Sequence, residues 1–226
     1  MQLPRGRRLE EGGRHKIRPA STLRPAKGAP LTTGRPTNCI APHLVLETNH
    51  ELYPLSAFCG PEGIDLPPYR VIAAAELPEP YRRLLEHTRD MTSVLQEFHA
   101  QDIHIEKVDL VRETDHLLRR VVLLGEDGRP VEFGAIDIWL PHFADDAQRD
   151  ILASHTPFGA ILHRYEIGYT SSPTGFFEIE SIGFIGEALR LESPARLYGR
   201  TNVLRSEHGQ VMARVVEILP PTLEDR

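Results

Sequence analysis

The chain has 226 residues, 40% of them hydrophobic and 26% charged, with a formal net charge of -6. That composition is ordinary for a soluble globular protein, and the length suits one buried core with a tail. An acidic balance argues against a general nucleic-acid binder, and no apolar run approaches the roughly 20 residues of a membrane span.

The charge is unevenly spread. Through residue 35 the basic Arg5, Arg7, Arg8, Arg14, Lys16, Arg18, Arg24, Lys27 and Arg35 meet only Glu10 and Glu11. A basic start rich in Gly and Pro and poor in large apolar residues cannot bury enough surface to offset its ordering entropy. Residues 1–40 are therefore expected to form a disordered basic tail, and residues 41–226 the folded domain. The tail lacks the apolar stretch of a secretory signal. Cys39 and Cys59, the only cysteines, make neither a zinc motif nor a disulfide framework and suit a reduced, cytoplasmic setting. The eleven histidines contain no H-E-x-x-H or comparable spacing, so neither a metal nor a cofactor is expected.

Pro and Gly punctuate the chain up to about Pro68. After them, P-E-P-Y-R-R-L-L-E-H-T (78–88) spaces Tyr81, Leu84 and Leu85 as a helix does, and a second helix carrying Val94, Leu95 and Phe98 follows, capped by Asp90 or Thr92. The texture then turns to alternation. I-H-I-E-K-V-D-L-V (103–111) predicts a strand, and L-L-R-R-V-V-L-L and V-E-F-G-A-I-D-I-W-L predict two more around the Asp127-Gly128 turn. Helices are predicted over 143–153 and from Pro157 to Tyr165, and strands over 175–185, 197–205 and 210–219. Helices first, then hairpin-linked strands with a helical insertion, predict an α+β fold on a single antiparallel β-sheet flanked by helices.

Two features carry chemistry. In A-R-V-V-E-I-L-P-P (213–221) the period of two places Glu217 on the apolar face with Val211, Ala213, Val215 and Leu219, where an acid needs a cation, a proton or a task. In the run before Asp127-Gly128, Arg119 and Arg120 are adjacent and both faces are aliphatic, so one guanidinium points inward and periodicity does not choose which. An inward Arg and an inward Glu either form a structural salt bridge or receive a ligand carboxylate. Asp145-Asp146 reads as a surface helix start, His155 as a residue just before T-P-F-G, near the proposed pocket but more often solvent-facing than a ligand contact, and Trp139 and Tyr198 as core or pocket wall.

Met91-Thr92 in R-D-M-T-S-V-L, Arg120 seven residues before Asp127, T-P-F-G at 156–159, L-Y-G-R at 197–200 and Glu217 in V-V-E-I-L-P-P occur in an order and spacing that resembles the chorismate pyruvate-lyase family. The resemblance spans about residues 80 to 221 and implies a chorismate lyase-like sheet whose helices close over a buried aromatic ligand, without metal or cofactor. It implies a lyase that eliminates pyruvate from chorismate, a dicarboxylate, to give 4-hydroxybenzoate for quinone biosynthesis. Arg120 would bind a ligand carboxylate and Glu217 would sit at the ring hydroxyl, as the catalytic pair. Phe158, in place of the family's usual leucine, would offer its backbone beside the pocket, and Met91 would line a flap. Two alternatives stand beside this reading. One is a non-catalytic module of the same fold that binds a small aromatic acid, and the other is a related lyase acting on another enol ether.

Overall fold

The computed structural model describes residues 50–59 and 65–222. The expected basic tail over residues 1–40, with Cys39, lies outside the described residues. The alternating segments form seven strands: β1 (Tyr69–Ile72), β2 (His104–Arg112), β3 (His116–Leu124), β4 (Pro130–Trp139), β5 (Tyr169–Glu180), β6 (Arg196–Ser206) and β7 (Val211–Leu219). They make one sheet in the order β1-β5-β6-β7-β4-β3-β2, with every neighbouring pair antiparallel. The helices are α1 (Tyr81–Leu85), α2 (Met91–His99), α3 (Asp145–Ala153), α4 (Phe158–Arg164) and α5 (Phe184–Ala188), with a 3-10 turn at Leu55–Phe58. The α+β architecture and its single antiparallel sheet flanked by helices agree with expectation.

Local chemistry explains where the elements begin. The Asp90 side chain accepts from the Ser93 backbone N–H at 2.8 Å and caps α2, while Asp145 and Asp146, both exposed, complement the dipole in the first turn of α3. The β3–β4 hairpin closes with the Gly128 N–H donating to the Gly125 carbonyl at 2.9 Å, and a register shift falls between Leu123 and Leu124. One expectation is corrected. The strand expected over 175–185 starts earlier, at Tyr169, and stops at Glu180; Gly183, at a φ of 62°, turns the chain into α5 instead. β1 was not legible, because four residues at a sheet edge leave too short a pattern.

Antiparallel register sends alternate residues to opposite faces. On one face Leu117, Ile136, Ile138, Leu204, Ala213 and Val215 pack with Ile151 of α3 and Phe158, Ile161 and Leu162 of α4. Farther along that face Leu123 and Leu219 pack with Leu84 and Leu85 of α1 and with Met91, Val94 and Leu95 of α2. The opposite face buries Val122, Phe133, Ala135, Phe177, Val216 and Ile218 beneath Leu52, Leu55 and Ile185. Because both faces are covered, β3 reads as an almost continuous apolar run.

Candidate functional site

Polar side chains interrupt the helix-covered face between its two apolar clusters. Four strands align Val121, Gly134, Glu217 and Arg200 in one row, and the row beside it holds Arg119, Ile136, Val215 and Asn202. All eight positions therefore share a face. Glu132, two residues before Gly134 on β4, shares it as well. Gly134 supplies the room: a Cβ there would stand 3.1 Å from Glu132 Oε1 and 3.5 Å from Val121 Cγ2.

Arg119 is 1% exposed and has no carboxylate within ion-pair distance among the described residues. Among the described residues its Nη2 reaches only the Thr156 carbonyl, at 3.5 Å, a long contact, while Nε and Nη1 have no hydrogen-bond partner. Burial brings its pKa down to about 10, so it stays cationic at neutral pH. A buried charge without a counter-ion is among the costliest arrangements a core holds, and an anionic ligand is the simplest remedy.

Glu217 is differently placed. Its Oε2 accepts from Nε of Arg200, a side chain with no exposed surface, whose Nη1 also donates to the carbonyls of Leu85 at 3.0 Å and His87 at 2.9 Å. Arg200 thus ties β7 to the segment between α1 and α2. The His87 ring completes the arrangement with Nε2 2.8 Å from the Leu84 carbonyl and Nδ1 3.2 Å from both the Arg89 N–H and Arg200 Nη1. That set fits a neutral ring with Nε2–H donating and Nδ1 accepting. Burial, reinforced by the Arg200 charge, lowers the His87 pKa to about 4.

Glu132 is 4% exposed and, among the described residues, makes no ion pair and leaves Oε2 without a partner. Burial first, and then the charge of Glu217, push its pKa well above the usual carboxyl range despite the opposing pull of Arg200. Both effects favour its neutral acid form. With Glu132 protonated, Arg119, Arg200, Glu132 and Glu217 together carry one net positive charge.

Arg119, Glu132 and Glu217 line a cavity of about 70 Å³. Its roof is the start of α2, at Asp90, Met91 and Thr92, and the start of α4, at Pro157, Phe158 and Gly159; Ser171 and Asn202 close one side. A cavity of about 150 Å³ encloses a benzene ring, so this one suits a smaller molecule, and an aromatic acid requires α2 and α4 to part. The arrangement offers an anion site at Arg119, a carboxyl end at Glu132 and Glu217, and apolar walls between them.

Of the residues expected from sequence, Glu217, Met91 and Phe158 line this cavity, and Phe158 is buried against Phe143. Arg120 does not. It pairs with Ala135 on the opposite face, where its guanidinium lies 4.8 Å from the Phe58 ring and 5.2 Å from that of Phe184 and bonds Asp109 at 2.9 Å. The choice of Arg120 rested on the family resemblance, in which it stands seven residues before Asp127, and the register shift at Leu123/Leu124 makes such a count unsafe for facing. Arg119 is the inward guanidinium. Trp139, expected in the core or a pocket wall, is 43% exposed and rests on His116. Tyr198 stacks on Tyr81, and His155 is exposed. Arg200, Glu132, Asn202 and Ser171 went unrecognised. An acid on an apolar alternating face, the signal that marks Glu217, is also present at Glu132 in V-E-F-G-A-I. Among the described residues no three His, Cys, Asp or Glu side chains converge as metal ligands do, and no helix is long and apolar enough to cross a membrane.

No family model and no curated protein matches this chain. Several solved structures do. The effector domain of PhnF from Mycobacterium smegmatis is 10% identical, with 58% of this chain and 88% of that one covered at a TM-score of 0.47. A further PhnF structure from the same organism is 10% identical over 70% of this chain and 89% of that one, at 0.46. YydK from Bacillus subtilis, described as a possible transcriptional regulator, is 10% identical over 55% of this chain and 60% of that one, at 0.43, so the chain spans less than two thirds of YydK. The expectation of a chorismate lyase is corrected. The three structures named here are described as an effector domain, PhnF and a possible transcriptional regulator, none of them as a lyase, and within this chain the pair the lyase reading required, Arg120 and Glu217, is split between two faces of the sheet.

Proposed function

We propose that the folded domain is a binding module for a small organic acid, with Arg119 receiving the carboxylate. This keeps the non-catalytic alternative that the sequence admitted, a module for a small aromatic acid, but with a smaller acid and with Arg119 in place of its neighbour Arg120. The observation that carries it is a fully buried, cationic guanidinium with two unpartnered N–H groups at the wall of a cavity. A carboxylate there forms charge-assisted hydrogen bonds in place of the water Arg119 lost on folding. Glu217 serves the site through Arg200, which anchors the segment leading into the roof helix α2.

The cavity volume sets the scale of the ligand. A molecule of four to six heavy atoms gains at best about -1.5 kcal/mol per atom, or about -6 to -9 kcal/mol, a ceiling of roughly tens of micromolar for four atoms and roughly 0.3 μM for six, so the smaller acids fall in the range from roughly micromolar to millimolar. Calorimetric titration of acetate, propionate and 4-hydroxybenzoate into the full chain tests the reading. Acetate or propionate should bind in that range and lose about tenfold or more of its affinity in Arg119→Gln, the scale of a lost charge-assisted bond, with Arg120→Gln unaffected. Equal affinity in Arg119→Gln and the parent chain would refute it.

A further inference from the structure

We propose that the cavity selects a small zwitterion, an amino acid whose carboxylate sits on Arg119 and whose ammonium sits between Glu132 and Glu217. The inference rests on the acid-binding reading and adds the chemistry of the ligand's other end. Two buried groups of opposite character are each left short of partners in one cavity: Arg119 with Nε and Nη1, and Glu132 with Oε2. They do not satisfy each other. Arg119 pairs with Ile136, four residues from Glu132 along β4, so roughly 14 Å of strand separates the two levels. A ligand that carries both charges supplies what each lacks.

The second carboxyl distinguishes this from a hydroxy-acid site. One acceptor suffices for a hydroxyl, and Glu217 with its Arg200 partner already provides it. Glu132 adds a second acidic group, without a counter-ion, against the same space. The charged groups facing Glu132 are Glu217 from β7, Arg200 from β6 and Asp90 at the start of α2, with Arg119 from β3 at the far end of the cavity. An ammonium placed among them gives Glu132 a reason to ionise: its carboxyl O–H bond breaks, the proton passes to the buffer, and the carboxylate pairs with the ligand. Binding of the zwitterion is therefore coupled to release of a proton, which binding of a simple acid is not.

Calorimetry on the full chain at about pH 7 compares glycine and β-alanine with acetate and propionate, which lack the ammonium, and with glycolate and 3-hydroxypropionate, which carry a hydroxyl instead. At least one amino acid should bind about tenfold or more tightly than both of its analogues, the scale of a charge-assisted hydrogen bond. Heats measured in two buffers of different ionisation enthalpy should report release of about one proton with that amino acid and none with the acids. Glu132→Gln, isosteric with the protonated side chain, should abolish the release and shrink the preference to about threefold or less. Acids or hydroxy acids that bind as tightly as the amino acids would overturn the proposal and leave the acid-binding reading standing. So would an undiminished preference in Glu132→Gln. Binding of none of these probes would overturn both.

Discussion

Arg119 and Arg120 are consecutive in sequence and occupy opposite faces of the sheet, the first at the wall of a cavity and the second between two phenylalanine rings. The two arginines therefore answer to different experiments. Arg120→Gln forfeits two cation–π contacts and a half-exposed ion pair, and should lower stability by about 1–2 kcal/mol in urea unfolding while leaving acid binding intact. Arg119→Gln should do the reverse. It removes an unpaired buried charge, so stability should hold or rise while binding is lost.

Arg200 is predicted to be the residue whose loss hurts the fold most. Arg200→Met leaves the Glu217 carboxylate buried without its partner and frees the carbonyls of Leu85 and His87, and should cost about 3–5 kcal/mol. Adding Glu217→Gln to Arg200→Met removes the stranded charge and should recover a large part of that loss. Urea midpoints of the two single variants and the double variant make the comparison, and additive losses would contradict the pairing.

Stability should fall away on both sides of a middle pH range. His87 is held neutral with a pKa of about 4, below its ordinary 6.5, so between these values the unfolded chain takes up a proton that the folded one does not. Stability from this source is full above about pH 6.5 and declines toward pH 4, by on the order of 2 kcal/mol after allowance for the ring's partial exposure. His87→Gln should flatten that limb of the urea midpoint against pH. Glu132 acts with the opposite slope. Its pKa is raised by burial and by Glu217, so the folded chain keeps a proton that the unfolded one releases, and stability declines as pH rises above the ordinary carboxyl range. Glu132→Gln should remove that decline.

Gly134 is expected to be a gatekeeper of volume. A methyl there meets Glu132 Oε1 at 3.1 Å and Val121 Cγ2 at 3.5 Å, so Gly134→Ala displaces the Glu132 carboxyl and Gly134→Val occupies the cavity itself. Acid binding should weaken in the first and vanish in the second. The thermal midpoint of Gly134→Ala should change little, since the strand gains about 0.5–1 kcal/mol from the lost glycine entropy against the crowding. Unaltered binding in Gly134→Val would place the ligand elsewhere.

Much of the fold was legible because local signals and tertiary structure agree. Asp90, one of the two residues expected to cap α2, does so, the Asp127-Gly128 turn joins the strands it was expected to join, and Glu217 lies on the face its period assigned. The site was only partly legible. Alternation identifies an inward charge where the other face is polar, but β3 is buried on both sides, so nothing local separates Arg119 from Arg120. Arg200 was hidden for a different reason: in L-Y-G-R-T-N it stands among polar and aromatic neighbours, and only pairing of β6 with β7 reveals the acid opposite it.

The most direct test of the central claim is the Nε–Hε proton–nitrogen spectrum of the arginine side chains during a titration with propionate, with Arg119→Lys and Arg120→Lys used to assign the two signals. The Arg119 signal should move downfield and saturate with the calorimetric affinity, while the Arg120 signal stays in place. A fixed Arg119 signal at saturation, or movement confined to Arg120, would contradict the account.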